Sequence, residues 1–361
     1  SLVSLSFFYL ILKKHLKNIE YIKKSIMHKF ISAESYMERA NVIFSACVSK
    51  ENIEKYLQSD FEIISESNEF FLIKNTNLKI KENDTIFCNT DLVFDLFSLL
   101  KNVRNLENLK LITHQSDTTI DKKYYEKKPE CIDKWFAINV EFNAKNLIPI
   151  PIGLASSFQK KYLNNVNISN YINDEFQKEY LLYVNFNPNT NTDERSHLLK
   201  YFKQIKWAKI DDSPVALEEY VKNIKQSYFV LCPWGNGIDT HRLWEALYLS
   251  STPITKKHNT LMPYNKLPIY FVNDYSEINE SSLLKSINKF ENHKNQMELD
   301  IDYWDKKFKA IQIKSFENVK INDAGLVFLI KKIKFNMKLK TKSRIKLINY
   351  YLNKIYNRLK L

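Results

Sequence analysis

The chain has 361 residues, 44% of them hydrophobic and 26% charged, with a formal net charge of +13. This length suggests two domains and the apolar share suffices for two cores. Four scattered cysteines without a CxxC pair exclude a zinc ribbon and a disulfide framework, and read as a reduced, cytosolic protein. The charge sits at the ends: 324–361 holds eleven Lys or Arg and no acid, and Ser1 to Lys29 holds six Lys against Glu20. The body between them is therefore slightly acidic, which argues against a nucleic-acid groove and against nucleic acid as a partner.

In chain order, residues 1–29 form a basic and apolar extension. Leu2 to Leu12 is too short to span a bilayer, and its charges follow the apolar run instead of preceding it, unlike a signal peptide. Residues 30–155 then alternate strand-like and helical patterns. Strands are predicted at Asn41–Cys47, Phe61–Ile64, Phe70–Ile73, Thr85–Cys88 and Leu109–Thr113, with a helix at Leu92–Val103. Leu147–Ile152 carries Pro149 and Pro151, so it is an edge strand or a connector. Residues 156–178 are polar and Asn-rich and read as a linker.

Residues 179–323 repeat the plan. Strands are predicted at Tyr180–Phe186, Trp207–Ile210, Tyr228–Leu231, Pro253–Thr255 and Ile269–Val272, and helices at Glu194–Ile205, Leu217–Gln226, Thr240–Leu249 and Glu277–Phe290. The alternation indicates βαβ units, hence two Rossmann-like domains with mainly parallel sheets facing each other across a cleft. The tail 324–361 mixes Ile, Leu, Phe and Tyr with its cations. It reads either as a basic amphipathic helix for an anionic membrane surface or as a solvated terminus.

The chain has only four glycines, and Gly235 and Gly237 flank Asn236 just after a predicted strand. A strand, a Gly-bearing turn and a helix start together present backbone N–H groups to an anion. Asp239 is placed as N-cap, with His241 and Arg242 in the first helical turn. A cation there opposes the helix dipole, a conflict that a bound diphosphate would remove. His241, Arg242 and Glu245 can border one cleft through i,i+3 and i,i+4 spacing. The other reading of these residues is an Arg–Glu pair on an ordinary amphipathic helix.

The segment from Phe229 to Ile254, which reads FVLCPWGNGIDTHRLWEALYLSSTPI, resembles the donor-site segment of exostosin-like GT-B glycosyltransferases of bacterial surface-glycan type. It is more distantly similar to the α-1,3-fucosyltransferases. Weaker resemblance covers Leu182 to Arg195 and Leu111 to Asp117. Ser251-Thr252 stands where many relatives have a small glycine before Pro-Ile. The resemblance implies a GT-B enzyme with a UDP- or GDP-linked sugar donor in the second domain and a glycan acceptor in the first; a lipid-linked acceptor would be consistent with the basic tail. By matching position, Arg242 would contact the diphosphate and Glu245 the ribose, with Gly235, Asn236 and Gly237 allowing close approach. Asp239, His241, Asn187 and Arg195 complete the donor-site expectation, although the Asn residues near 187 equally fit a capping turn.

Transfer with inversion needs a general base on the acceptor hydroxyl. The loop after Leu109–Thr113 offers Asp117 first and His114 second; Asp91 is third. Asp117 could equally be a helix cap. Trp135, Phe136 and Asn139 lie nearby, where aromatics are core more often than sugar platforms. The one Asp-x-Asp, Asp300 to Asp302, precedes an amphipathic stretch and reads as helix-end carboxylates, so neither metal nor cofactor is expected. The expectation is thus a metal-independent, inverting transferase of surface polysaccharide, on the inner face of the plasma membrane. The rival is a non-catalytic nucleotide- or sugar-binding module.

Overall fold

The computed structural model describes residues 29–57, 60–101, 103, 106–212, 214–291, 297–309 and 319–322, with Ile333 and Met337. The expectations for the 1–29 extension and the 324–361 tail otherwise lie outside these described residues.

The first half contributes β1 (Val42–Ser49), β2 (Phe61–Glu66), β3 (Phe70–Asn75), β4 (Asn77–Ile80), β5 (Thr85–Asn89), β6 (Leu109–His114), β7 (Ile132–Ala137) and β8 (Leu147–Pro149). Seven of them form one sheet in the order β2-β3-β1-β5-β6-β7-β8. From β1 to β8 the neighbours are parallel, and β2 and β3 add an antiparallel edge. β6 is buried along its whole length, as a central parallel strand with a continuous apolar run should be. β8 ends the sheet, the edge position where a proline such as Pro149 is tolerated.

The second half contributes β9 (Tyr180–Val184), β10 (Ala208–Ile210), β11 (Ser227–Leu231), β12 (Thr252–Lys256) and β13 (Tyr270–Val272). They form an all-parallel sheet in the order β10-β9-β11-β12-β13. The helices that matter below are α1 (Ala33–Arg39), α2 (Val93–Leu100), α3 (Thr192–Phe202), α4 (Leu217–Lys225), α5 (His241–Tyr248), α6 (Glu280–Glu291) and α7 (Ile301–Phe308). The protein is thus mixed α/β with two sheets of largely parallel strands.

Besides α1 and β4, which the sequence pattern does not mark, three features differ from the sequence reading. First, β7 was not foreseen, because Asp133 and Lys134 break its apolar run; Trp135 and Phe136 are fully buried core side chains, not sugar platforms. Second, the 156–178 segment is packed: Leu163 and Ile168 are buried, and the Asn164 side chain accepts from the backbone N–H of Val166 and Asn167. Third, α7 follows the second sheet in sequence but packs on the first half. Phe308 sits edge-on to Tyr36 at 5.9 Å and to Phe136 at 4.9 Å, and Arg39 pairs with Asp302 at 2.8 Å. Likewise β14 (Val319–Asn322) pairs with β4.

One apolar cluster therefore runs from Phe136 and Ile150 through Tyr183, Trp244 and Tyr264 to Trp304 and Phe308. The apolar face of α7 supplies Ile301, Trp304 and Phe308 to it, each side chain worth roughly 1.5–3 kcal/mol when buried.

Gly153 lies beyond the end of β8, against Ile31 just ahead of α1. Its φ is +65°, and a Cβ there would stand 2.1 Å from the Ile31 carbonyl oxygen, the atom that accepts from Leu154 N–H. Gly153→Ala should lower stability by on the order of 3 kcal/mol, combining left-handed strain with overpacking. The urea unfolding midpoint measures it; an unchanged midpoint would contradict the placement.

Candidate functional site

β11 ends at Leu231, and the chain then passes through Cys232 and Pro233 and turns from Trp234 to Asp239 before α5 begins. The turn is built from inside the protein. Arg195, on α3, is 4% exposed, and its guanidinium donates to the carbonyl oxygens of Trp234 at 2.8 Å, Pro233 at 2.7 Å and Asn187 at 3.1 Å, and to Thr190 Oγ1 at 2.6 Å. A planar five-donor fork can bind several carbonyls at once, which an ammonium cannot. Arg195 therefore shapes the turn and has no face left for a diphosphate, contrary to the sequence expectation. Asn187 is an exposed cap whose Oδ1 accepts from Asn189 N–H, the turn role that the sequence also allowed.

The glycines are also occupied. Gly235 N–H donates to Gly237 O at 2.9 Å, a Cβ on Gly235 would approach the Arg195 guanidinium to 3.0 Å, and one on Gly237 would meet the Asn139 amide at 2.7 Å. The close approach that the glycines permit on their Cα side is thus made by Arg195 and Asn139. Asn236 is exposed at the tip.

Asp239 is not the N-cap of α5. Thr240 holds that position and makes no side-chain cap bond. Asp239 is buried, and its carboxylate accepts from Ile152 N–H and Trp244 Nε1–H, both at 2.8 Å. Its own N–H donates to Asn139 Oδ1 at 2.9 Å. Next along, the His241 ring meets Gly153 O at 2.7 Å through Nδ1. Three contacts thus join this turn to the segment after β8 and to the loop after β7.

Arg242 is half-buried, with Tyr220 of α4 against its guanidinium at 5.7 Å. Its Nε is buried without a hydrogen-bond partner, and among the described residues the guanidinium makes no ion pair. Glu245, one turn on, is buried and accepts from the Tyr220 hydroxyl at 2.6 Å. Burial first, then repulsion from Arg242, holds Arg195 down to about 10. Two cations therefore approach each other at the carboxyl end of the second sheet, and the turn carbonyls engage only one of them.

A cavity of about 590 Å³ opens at the carboxyl ends of β1, β5 and β6. Cys47, Asp91, His114, Gln115, Ser116 and Asp117 line it, His241 enters from α5, and Phe158 and Gln159 come from the segment expected to be a linker. The sequence reading brought Asp117, His114 and Asp91 to this place and missed Phe158 and Gln159, which no local signal marks. Gln115 and Asn139 take left-handed φ angles of 61° and 53° at the ends of β6 and β7. The Gln115 amide completes the β1 ladder, accepting from Cys47 N–H at 2.7 Å and donating to Cys47 O at 2.9 Å.

The acid–base candidates differ in their availability. His114 is 2% exposed; its Nδ1 accepts from Gln115 N–H at 2.7 Å, so Nε2 carries the hydrogen toward Ile152 O at 3.1 Å. Both nitrogens are used, which removes His114 as a base. Asp91 Oδ1 accepts from Ser116 Oγ and Thr118 Oγ1, both at 2.9 Å. Asp117 is exposed and makes no hydrogen bond among the described residues; it is not a helix cap, a role that Asp121 fills. Of the Asp-x-Asp pair, Asp300 caps α7 and Asp302 meets Arg39. Among the described residues no group of three or more His, Cys, Asp or Glu could hold a metal ion.

Burial, helped by the nearby His241, pushes the His114 imidazole down to about 3, against roughly 6.5 in an unfolded chain. The unfolded chain takes a proton that the native ring refuses. This contribution to stability is complete above about pH 6.5 and is lost as pH falls towards 3. Burial lifts Asp239 to about 7, against the opposing pull of its donors, from roughly 3.9 unfolded. Its contribution is complete below about pH 4 and is lost as pH rises to about 7. The two slopes oppose each other between about pH 4 and 6.5. In thermal melts over that window, Tm should climb more steeply with pH in Asp239→Asn than in the wild type, and less steeply in His114→Gln.

No curated protein sequence matches the chain. Among solved structures, that of AviGT4, a glycosyltransferase involved in avilamycin A biosynthesis, aligns over 60% of this chain and 71% of that chain, with 12% identity and a TM-score of 0.29. An overlap this slight bears on neither fold nor site. Residues 154–323, somewhat less than half of the chain, match the family described as the RXYLT1 C-terminal domain. That stretch holds the second sheet, α5 and the turn ahead of it, and through it this part of the chain is similar to the exostosin-like glycosyltransferases.

Proposed function

We propose that the protein transfers a sugar from a nucleotide-linked donor to a glycan hydroxyl, with a GT-B arrangement in which the second sheet holds the donor and the first the acceptor. The observation that carries the reading is Arg242: a half-buried, unpaired guanidinium at the positive end of α5, one residue from a side chain that lines the cavity of the first half. A polyanion would stabilise a cation in that position beyond what the Tyr220 ring and the Glu245 carboxylate provide. The similarity of residues 154–323 to exostosin-like glycosyltransferases supports it.

In this reading the donor diphosphate lies on Arg242, and Tyr220 and Glu245 form the floor beside it. As the bond to the sugar breaks, the charge that develops on the leaving diphosphate falls on Arg242, with no metal required. Arg195 acts behind this group by fixing the turn. The acceptor enters the cavity between Phe158 and the loop of Gln115 to Asp117. Among the described residues no Lys or Arg lines that cavity while Asp91 and Asp117 do, which suits a neutral sugar better than a uronate or phosphate.

Arg242→Ala should weaken UDP or GDP binding at least tenfold by isothermal titration, as expected for a lost charge-assisted bond. Glu245→Ala should do the same less severely, through Tyr220. Unchanged nucleotide affinity in Arg242→Ala, with an unchanged thermal melt, would place the donor elsewhere.

The reading extends from the sequence to bacterial surface polysaccharide made at the inner face of the membrane, with an inverting mechanism, a lipid-linked acceptor and the 324–361 tail on anionic lipid. Among the described residues no helix is long and apolar enough to cross a membrane. Sedimentation with anionic vesicles should pellet the full chain and leave a chain ending at residue 323 in solution; equal pelleting would remove the tether.

A further inference from the structure

We propose that His241 is the general base of this transfer, taking the proton from the acceptor hydroxyl through Nε2, with Gly153 as its positioning residue. The assignment rests on the glycosyl-transfer reading and names a group that the sequence placed only on the donor side.

The geometry fixes the tautomer. Nδ1 lies 2.7 Å from Gly153 O, and a carbonyl oxygen can only accept, so Nδ1 carries the hydrogen and Nε2 keeps its lone pair. No protein group meets Nε2 among the described residues, and the side chain lines the 590 Å³ cavity. The carbonyl that orients the ring is itself held. Gly153 is locked at φ +65° beneath Ile31, and its neighbours tie off on both sides: Ile152 N–H donates to Asp239, and Leu154 N–H to Ile31 O. On the other partner, α5 is anchored by buried Leu243 and Trp244, with Trp244 Nε1 on the same Asp239. A base held by a fixed acceptor on its far nitrogen is the arrangement that general-base catalysis needs.

The rivals in the cavity lack it. His114 has spent both nitrogens on backbone groups, Asp91 accepts two hydroxyls on Oδ1, and exposed Asp117 has no group to orient it. His241 and Arg242 are consecutive on one helix, so their side chains leave the axis about 100° apart. One can therefore face the acceptor while the next faces the leaving group. Nε2 takes the hydroxyl proton, the acceptor oxygen bonds to the anomeric carbon, and the bond from that carbon to the diphosphate oxygen breaks. Its electron pair leaves on the nucleoside diphosphate, against Arg242, and the imidazolium returns its proton to water.

The test uses the full chain with UDP-glucose, UDP-N-acetylglucosamine and GDP-fucose, following nucleoside diphosphate release in the presence and absence of p-nitrophenyl glycosides. His241→Gln should lower kcat by ~10²–10⁴ with the donor KM within about twofold, and free imidazole should restore part of the turnover of His241→Ala. Turnover by the wild type that persists in His241→Gln, or a larger loss in Asp117→Asn than in His241→Gln, overturns the assignment and leaves the transfer reading standing. No turnover by the wild type with any of the donors overturns the transfer reading and the base with it. A readout independent of turnover is diethyl pyrocarbonate, which acylates an imidazole lone pair. Peptide mapping should find His241 modified and His114 spared; the reverse pattern overturns the assignment.

Discussion

The structure turns on a clamp a few residues wide. Asp239 and His241 lie on either side of the start of α5, and each reaches the segment after β8, the first by accepting from Ile152 N–H and the second through Gly153 O. Asn139 closes the third side by accepting from Asp239 N–H. Hydrogen bonds of this sort contribute only about 1 kcal/mol each on balance, and more where one partner is charged. Breaking one here leaves a buried donor or acceptor without a partner, which costs more than the bond contributes. The apolar cluster from Phe136 to Phe308 supplies the bulk of the adhesion between the halves. The clamp decides the register at which they meet, and with it which side chain of α5 enters the cavity.

Backbone conformation makes the clamp possible. Gly153, Asn139 and Gln115 all take left-handed φ at the carboxyl ends of the first sheet's strands or just beyond. The glycine takes this shape freely, while in Asn139 and Gln115 it carries strain, held here by the contacts around them. Gly153 points its carbonyl at His241, Asn139 sets its amide against Gly237 and Asp239, and Gln115 turns its side chain back onto β1. Ligands of parallel sheets bind at these strand ends because the loops there can take such shapes without disturbing the strands.

Electrostatics divides the site in two. The cavity side holds carboxylates and imidazoles and no guanidinium or ammonium among its lining residues. The turn side holds Arg195 and Arg242. Arg195 shows why residue type and position together do not give a role. It stands where a phosphate-binding cation is expected, yet four donor contacts to this chain's own loops account for it. Arg242, eleven residues after Leu231 ends β11, has no such acceptors among the described residues.

The sequence by itself determined the two-sheet plan, because fully buried parallel strands must be written as near-continuous apolar runs such as Leu109–Thr113 and Tyr228–Leu231. It also marked the turn and α5, since Gly235, Gly237, Arg242 and Glu245 fall together after one strand. β7 escaped because Asp133 and Lys134 interrupt its short run. What only the tertiary structure decided is the work of each polar side chain. A histidine's free nitrogen depends on which carbonyl meets the other one, and for His241 that carbonyl is 88 residues away. The same holds for Arg195, whose acceptors come from two separate turns, and for α7, whose apolar face finds the first sheet after the chain has completed the second. Local pattern encodes which face of an element is apolar; which distant group satisfies a given donor is settled only when the elements pack.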